Sequence, residues 1–196
     1  MIMRSSLNIV IAGVGGQGTL VAGKLFGTLA LRTGADVKVS EVHGMSQRGG
    51  SVVTYVKMGE KIYSPVIEKG GADFVLAFEE IEALRYAGFL KKNGKMIVNE
   101  KRIEPVTIRI SKGKYPDDIV SRLSSSTLEG TEIISVDADR LASEAGNQRS
   151  VNMVMAGILS KFTDIEESEW FASIDEIFPG KLREINRNAF LMGRNI

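Results

Sequence analysis

The chain has no cysteine among its 196 residues. That absence removes disulfides, thiolate zinc sites, cysteine nucleophiles and cysteine-ligated iron–sulfur clusters together, because each needs a sulfur atom. There is one histidine, so a two-histidine metal site, or a Ser-His-Asp array with a spare base, is limited to what one ring can do. An excess of either charge is also missing. The 25 basic residues stand against 24 acidic ones, which leaves no broad basic field for a nucleic acid or an anionic membrane. Long hydrophobic runs are absent as well. The apolar stretch in MIMRSSLNIVIAG is too short to span a bilayer and runs into a glycine-rich turn, as a core strand does and a signal peptide does not. The expectation is a cytoplasmic protein with no metal site, no membrane and no nucleic acid among its partners. Its length suits one domain over 1–196, with a helical portion from about 147 to 196.

What is present reads as alternating strands and helices. Leu7 to Ala12 is a continuous aliphatic run, the pattern of a strand buried on both faces, and it ends at Gly13-Val14-Gly15-Gly16-Gln17-Gly18. Gln17 to about Thr33 favours helix, closed by Gly34, with Gly23 and Gly27 leaving a side bare enough for another backbone to approach. Val37, Val39 and Val42 mark a second strand, and His43 to Gly50 a polar loop. Ser51 to Val56 and Ile62 to Val66 flank Met58-Gly59-Glu60-Lys61 and read as a hairpin. Asp73 to Phe78 and Lys95 to Asn99 are buried-type strands around a helical Glu79 to Leu90 and a Lys91 to Gly94 turn. Val106 to Ile110 reads as an edge strand, Pro116 to Leu123 as a short helix, Glu132 to Val136 as a strand and Asp137 to Ala145 as a helix. Val151 to Phe162, Glu166 to Phe178 and Lys181 to about Gly193 complete the helices. The fold class is α/β and Rossmann-like: a mainly parallel sheet with helices on both faces, a β-hairpin insertion and a helical C-terminal end.

The chemistry-bearing candidates are few. Gly13-x-Gly15-x-x-Gly18, after a strand and before a helix, is the spacing that lets backbone N–H groups and a helix N-terminus approach a pyrophosphate. The same glycines equally serve a tight strand-to-helix crossing with no ligand. A nicotinamide site would add an acid at the end of the second strand, for which Asp36 and Glu41 are the nearest residues, and neither sits at the usual place. His43 shares one face of an extended segment with Glu41, suited either to a hydrogen-bonded tie or to proton transfer. Arg48, followed by Gly49 and Gly50, suits an anion clamp, with a salt bridge to Glu41 as the competing use. In Asn147 to Asn152, Ser150 is expected as an N-cap and Asn147 in a left-handed conformation. Met153 to Leu159 reads as packing, and Trp170, Phe171 and Phe178 as an apolar face covered by the domain or by a partner. The binding candidates are therefore Gly13, Gly15, Gly16, Gln17, Gly18, His43, Gln47, Arg48 and Gly49, and no catalytic residue stands out.

Taken in order and spacing, GVGGQG, EVHGMSQRGGSV and GNQRSVNMVMAG resemble the gamma-type subunit or domain of the 2-oxoacid:ferredoxin oxidoreductases, over nearly the whole chain. Its size is most similar to the small beta subunit of the indolepyruvate branch, while gamma subunits of the pyruvate, 2-oxoisovalerate and 2-oxoglutarate branches carry the same motifs. The resemblance implies a complex that decarboxylates a 2-oxoacid on thiamine diphosphate, passes electrons through 4Fe–4S clusters to ferredoxin and releases an acyl-CoA. It implies thiamine diphosphate, Mg and the clusters in a larger alpha subunit, no cofactor in this chain, and coenzyme A as co-substrate. Ferredoxin would be reached through the complex, a homodimer contact stays open, and this chain would be inactive alone. The sequence agrees in lacking both cysteine and a GDG…N diphosphate motif. On this reading the CoA pyrophosphate meets the Gly13 to Gly18 turn, with Arg48 as clamp. A non-catalytic nucleotide-sensing module is the alternative from another class.

Overall fold

The computed structural model describes residues 6–44, 50–105, 108, 110 and 113–196. Its first strand, β1 (Leu7–Val14), sends Ile9 and Ile11 into one core and Val10 into another. Successive strand side chains leave opposite faces, so a strand covered on both sides is apolar throughout. The same alternation holds in β4 (Ala72–Ala77), with Phe74 and Leu76 on the first face and Val75 and Ala77 on the second. With β2 (Asp36–His43), β3 (Ser51–Gly59), β5 (Leu90–Asn99) and β6 (Glu132–Val136) they form one sheet in the order β2-β3-β1-β4-β5-β6. Strands β1, β4, β5 and β6 pair in parallel. Strand β3 runs antiparallel to both β1 and β2.

The antiparallel element expected beside the parallel strands is thus present, with a different partner. Ile62–Val66 forms no strand; Tyr63 and Val66 are exposed, and the Ile62 N–H is held by Asp36 Oδ2 at 2.8 Å. The hairpin is β2–β3, joined across the His43 to Gly50 loop. The expected Lys91 to Gly94 turn is folded into β5 as a bulge. Asn93 takes a left-handed φ of 60°, and the β4–β5 register shifts between Ala72 and Phe74. The Val106 to Ile110 stretch lies mostly outside the described residues; Ile108 and Ile110, which are described, are in helical backbone and not a strand.

Helices cover both faces. Helices α1 (Thr19–Arg32), α4 (Ala138–Glu144), α5 (Val151–Ser160), α6 (Glu167–Ile177) and α7 (Lys181–Arg194) pack on the face of Ile9 and Ile11. On the opposite face lie α2 (Glu80–Tyr86) and α3 (Ile119–Ser126). Every residue of α5 is buried, which explains why its sequence shows no polar stripe. Trp170, on α6, stands edge-on to Phe26 of α1 at 5.8 Å between ring centroids and lies 5.4 Å from Phe190 of α7. The backbone approach expected at Gly23 and Gly27 occurs elsewhere. A Cβ at those two positions would meet side chains of Thr54 and Val39, whereas Gly157 and Gly193 let the α5 and α7 backbones touch.

Candidate functional site

Chain direction places the site before any side chain is considered. After β1 the chain leaves through α1 toward β2 at one edge, and after β4 through α2 on the opposite face. The carboxyl ends of β1 and β4 therefore flank a topological switch point, where open α/β sheets hold their ligands. The glycine turn emerges there from β1, and Phe78 to Glu82 from β4.

Most of the turn is consumed in holding its own shape. Gly13 is buried, and a Cβ there would lie 3.0 Å from Gln17 Oε1 and from Thr19 Cγ2. The Gly15 N–H donates to the Gly50 carbonyl at 3.0 Å, and the Gln17 N–H to the Val14 carbonyl at 3.1 Å. Both ends of the Gln17 side chain work inward: Oε1 accepts from the Val14 N–H at 2.7 Å, and Nε2 donates to the Phe78 carbonyl at 2.9 Å. Gly16 and Gly18 take φ of 99° and 81°, a region that favours glycine. A Cβ at Gly16 would meet nothing within 4 Å, so the outer surface of the turn is open. Helix α1 starts there with no side-chain cap and no acidic residue in its first turn, leaving its positive dipole end uncompensated.

The other two sequence segments arrive at the same edge. The Gly15–Gly50 bond ties the base of the 43–50 loop to the turn. His43 ends β2, exposed, with Nδ1 3.1 Å from Glu41 Oε1, so it is tied to the acid on its own strand face. Gln47, Arg48 and Gly49 lie outside the described residues. The third segment touches the turn through Asn152, whose amide nitrogen is 3.2 Å from where a Cβ on Gly18 would stand. Ser150 occupies the N-cap position of α5, but its hydroxyl makes no cap bond and is buried without a partner. The side-chain cap lies on the 3-10 turn Gln148–Ser150 that leads directly into α5: Asn147 Oδ1 accepts from the Arg149 N–H at 3.0 Å. Asn147 itself is extended at φ −157°, and the left-handed position is Gly146 at φ 105°.

Between these segments runs a line of polar groups that sequence reading missed. The Phe78 carbonyl takes a second donor, Asn99 Nδ2 of β5, at 3.3 Å. The same amide nitrogen reaches Asp139 Oδ2 at 2.8 Å, while Asn99 Oδ1 accepts from the Ala138 N–H at 3.0 Å. Asp139 Oδ1 receives Lys101 Nζ at 2.9 Å and Gln148 Nε2 at 3.3 Å. Burial alone would raise the Asp139 pKa; donation from Asn99, Lys101 and Gln148 outweighs it and holds the carboxyl below the ordinary value. A buried asparagine at the end of an apolar strand was the only sequence signal for this line.

Three acids from the FEEIE run are also buried: Glu79, Glu80 and Glu82. Glu79 accepts from Tyr115 Oη at 2.5 Å and from the Ile103 N–H at 3.1 Å, and its Oε2 caps α2 at the Glu82 N–H. Burial and the bond to Glu79 push the Tyr115 hydroxyl well above its usual range. Glu80 pairs with Arg102 at 2.8 Å, and Glu82 with Arg85 at 3.1 Å and Ser51 Oγ at 2.5 Å. Every one of these carboxylates is satisfied, so the cluster ties β3 and α2 to Ile103 and Tyr115. Among the described residues no group of three His, Asp or Glu side chains could hold a metal ion, and no helix is long and apolar enough to cross a membrane.

A mainly parallel sheet with one antiparallel strand, and a glycine turn at its switch point, defines an α/β architecture shared with solved oxidoreductase subunits. The pyruvate oxidoreductase subunit PORC of Thermotoga maritima superposes with a TM-score of 0.74 at 19% identity, over 98% of this chain and 97% of that one. A 2-oxoglutarate:ferredoxin oxidoreductase chain from Magnetococcus marinus, solved with 2-oxoglutarate, coenzyme A and succinyl-CoA, gives a TM-score of 0.75 at 22% identity, over 98% of this chain and 31% of its own length. The chain belongs to the pyruvate ferredoxin/flavodoxin oxidoreductase family, whose model matches residues 8–196. It is 43% identical over 191 residues to the indolepyruvate oxidoreductase subunit IorB of Thermococcus kodakarensis, covering 95% of this chain and 93% of that protein. It is 40% identical over 195 residues to the subunit of the same name from Archaeoglobus fulgidus.

Proposed function

We propose that this chain is the cluster-free small subunit of an indolepyruvate-type 2-oxoacid:ferredoxin oxidoreductase, acting in the cytoplasm with a larger partner. The observation that carries the reading is the near full-length likeness to IorB subunits, at 35 to 43% identity. Relatives named for pyruvate, ketoisovalerate and 2-oxoglutarate stand lower, at 23 to 29%. Decarboxylation of an aryl 2-oxoacid and electron transfer to ferredoxin belong, on this reading, to thiamine diphosphate, Mg and 4Fe–4S clusters in the larger subunit. A cysteine-free chain has no thiolates with which to hold such clusters.

The part left to this chain is to complete the cleft and hold coenzyme A for acyl transfer. Its candidate surface fits a pyrophosphate in two respects: Gly16 leaves the turn sterically open, and α1 presents an uncapped N-terminus with no nearby acid of its own. Gly13, Gly15 and Gln17 shape that surface from within. Arg48 is the proposed clamp on the anion.

The test is reconstitution. The two chains should co-purify, and together reduce a viologen dye with indolepyruvate and CoA, while this chain alone stays inactive. In the complex, Arg48→Ala should raise the apparent KM for CoA about tenfold with little change for the 2-oxoacid. Oxidation of 2-oxoacids by this chain alone, or no stimulation of a co-purified partner, would overturn the reading; an unchanged KM for CoA would remove the clamp.

A further inference from the structure

One edge of the sheet is undefended. Strand β2 has no neighbour on its outer side among the described residues, and its pairing with β3 runs from Asp36 to His43 without a bulge. Edge strands are ordinarily protected from a further chain by proline, by a bulge or by free charges, because their outward N–H and C=O groups form a ready template. This strand contains no proline, and its charges are tied down within it: Lys38 Nζ lies 3.0 Å from Asp36 Oδ1, and His43 Nδ1 3.1 Å from Glu41 Oε1. Val39 and Val42 are left half-exposed on opposite faces. Beside Val39, helix α1 carries two exposed leucines, Leu20 at 61% and Leu31 at 71%. At 3.6 residues per turn they share one side of α1 with Gly27, where an added Cβ would meet Val39. Arg32, which pairs with Glu169 of α6, leaves the helix on another side.

We propose that this edge receives a second copy of the same chain, with β2 pairing antiparallel to its counterpart about a two-fold axis through Val39. Symmetry limits the choices. An axis perpendicular to the sheet keeps the helices of both copies on one face. Residues directly opposite each other share a face, and faces alternate along a strand, so the axis must pass through a residue. Through Lys38 or Glu41 it would set like charges against each other, which is destabilising. Through Val37 or Val42, near the strand ends, it would leave most of the strand unpaired. Through Val39 it pairs Asp36 to Val42, setting Val39 against Val39, Lys38 against Ser40 and Glu41 against Val37, with no like charges opposed. The helix decides between Val39 and Ser40. Added Cβ atoms at Gly23 and Gly27 would lie 3.5 and 3.9 Å from the two Val39 methyls, so Val39 is level with the middle of the stretch from Leu20 to Leu31. Those leucines stand about 7.5 and about 9 Å from that level along α1. A two-fold through Val39 therefore brings Leu20 of each copy to Leu31 of the other, whereas an axis through Ser40 would slide the helices by about 6.6 Å and lose the match. The surface thus complements itself in backbone, charge and apolar contact. This goes beyond the oxidoreductase reading and does not depend on it.

Because the chain has no cysteine, one introduced thiol is unique in it. Opposed residues of an antiparallel pair have Cα atoms about 4.5 or 5.5 Å apart, inside the disulfide range of about 4.4 to 6.8 Å. Under mild oxidation Val39→Cys should close into a covalent dimer, while Leu182→Cys on α7, at 43% exposure against 42% for Val39, should stay monomeric on a non-reducing gel. Sedimentation equilibrium of the full chain should show a reversible dimer. Leu20→Glu and Leu31→Lys should each weaken it about tenfold. The double variant should recover most of that loss, because two positions so far apart on one helix can meet only across the axis. A wild-type chain that stays monomeric at about 100 μM overturns the proposal. So does a dimer that survives both single variants with Val39→Cys left unlinked, which would place the contact elsewhere, and a double variant no better than either single would remove the axis through Val39. A Val39→Cys thiol that the larger subunit shields from cross-linking in the reconstituted complex would assign the edge to that partner and equally overturn it. Viologen reduction by the reconstituted pair reads the oxidoreductase assignment separately, so either reading can fail without the other.

Discussion

Gln17 shows how far a side chain's use departs from its position in a motif. Flanked by glycines that suggest a ligand, it instead satisfies the Val14 N–H and the Phe78 carbonyl, two backbone groups left unpaired where strands end. Asn99 does the same one strand over and hands the line on to Asp139. Asp139 offers a direct check, because three donors favour its charged form in the folded protein and none does in the unfolded chain. Its folded pKa therefore lies below the unfolded value of about 3.9. Between those two values the unfolded chain binds more protons, so this contribution to stability is complete above the unfolded pKa and is lost as pH falls through the folded one. In urea unfolding from pH 3 to 7, wild type should exceed Asp139→Asn by a constant margin above about pH 5, narrowing toward acid. A margin that ignores pH, or widens in acid, would show that the three donors do not depend on the charge.

At the scale of elements, what the sequence makes legible follows burial. Strands β1 and β4 are covered on both faces, so Leu7 to Ala12 and Asp73 to Phe78 stand out as unbroken apolar runs. The helical third is legible for the same reason. The hairpin partner is not: Ile62 to Val66 has strand-like composition, yet Tyr63 and Val66 face solvent and β3 finds β2 instead. That pairing depends on long-range packing, which local composition does not carry. Of the site, the glycine turn closing β1 was legible as spacing, but the roles of Asn99, Asp139 and Glu79 were not, since they come from neighbours distant in sequence. Glycine roles divide likewise. An alanine in a helix interior is ordinarily favoured over glycine by about 1 kcal/mol. At Gly27 the added Cβ would find only Val39 Cγ2 at 3.9 Å, an ordinary contact, so Gly27→Ala should raise the unfolding midpoint. At Gly157 it would fall 2.0 Å from the Phe190 carbonyl oxygen, forcing α5 and α7 apart, so Gly157→Ala should cost about 3 kcal/mol. Thermal and urea unfolding of the two variants should move in opposite directions; a stabilised Gly157→Ala would mean that the helices do not cross in contact there.

For the molecule as a whole, the question is whether the helical end from 147 onward stands apart from the sheet it covers. Its buried side chains argue against separation. Val151, Met153, Trp170, Ile174 and Phe190 share one apolar cluster with Ile9, Ile11 and Leu76 of the central strands. Each fully buried side chain of this kind contributes about 1.5 to 3 kcal/mol, which peeling the helices away would forfeit while exposing β1 and β4. The polar line adds a second tie, from Gln17 through Phe78 and Asn99 to Asp139 and Gln148. Trp170 is the sole tryptophan, and its contacts with Phe26 and Phe190 join α1 to the last helix, so its fluorescence reports that junction alone. Far-ultraviolet circular dichroism reports all helices and strands together. We expect the two signals to fall on one urea curve, with the same midpoint and slope. A tryptophan transition completed at lower urea, with most of the ellipticity still present, would instead establish residues 147–196 as a unit that detaches first.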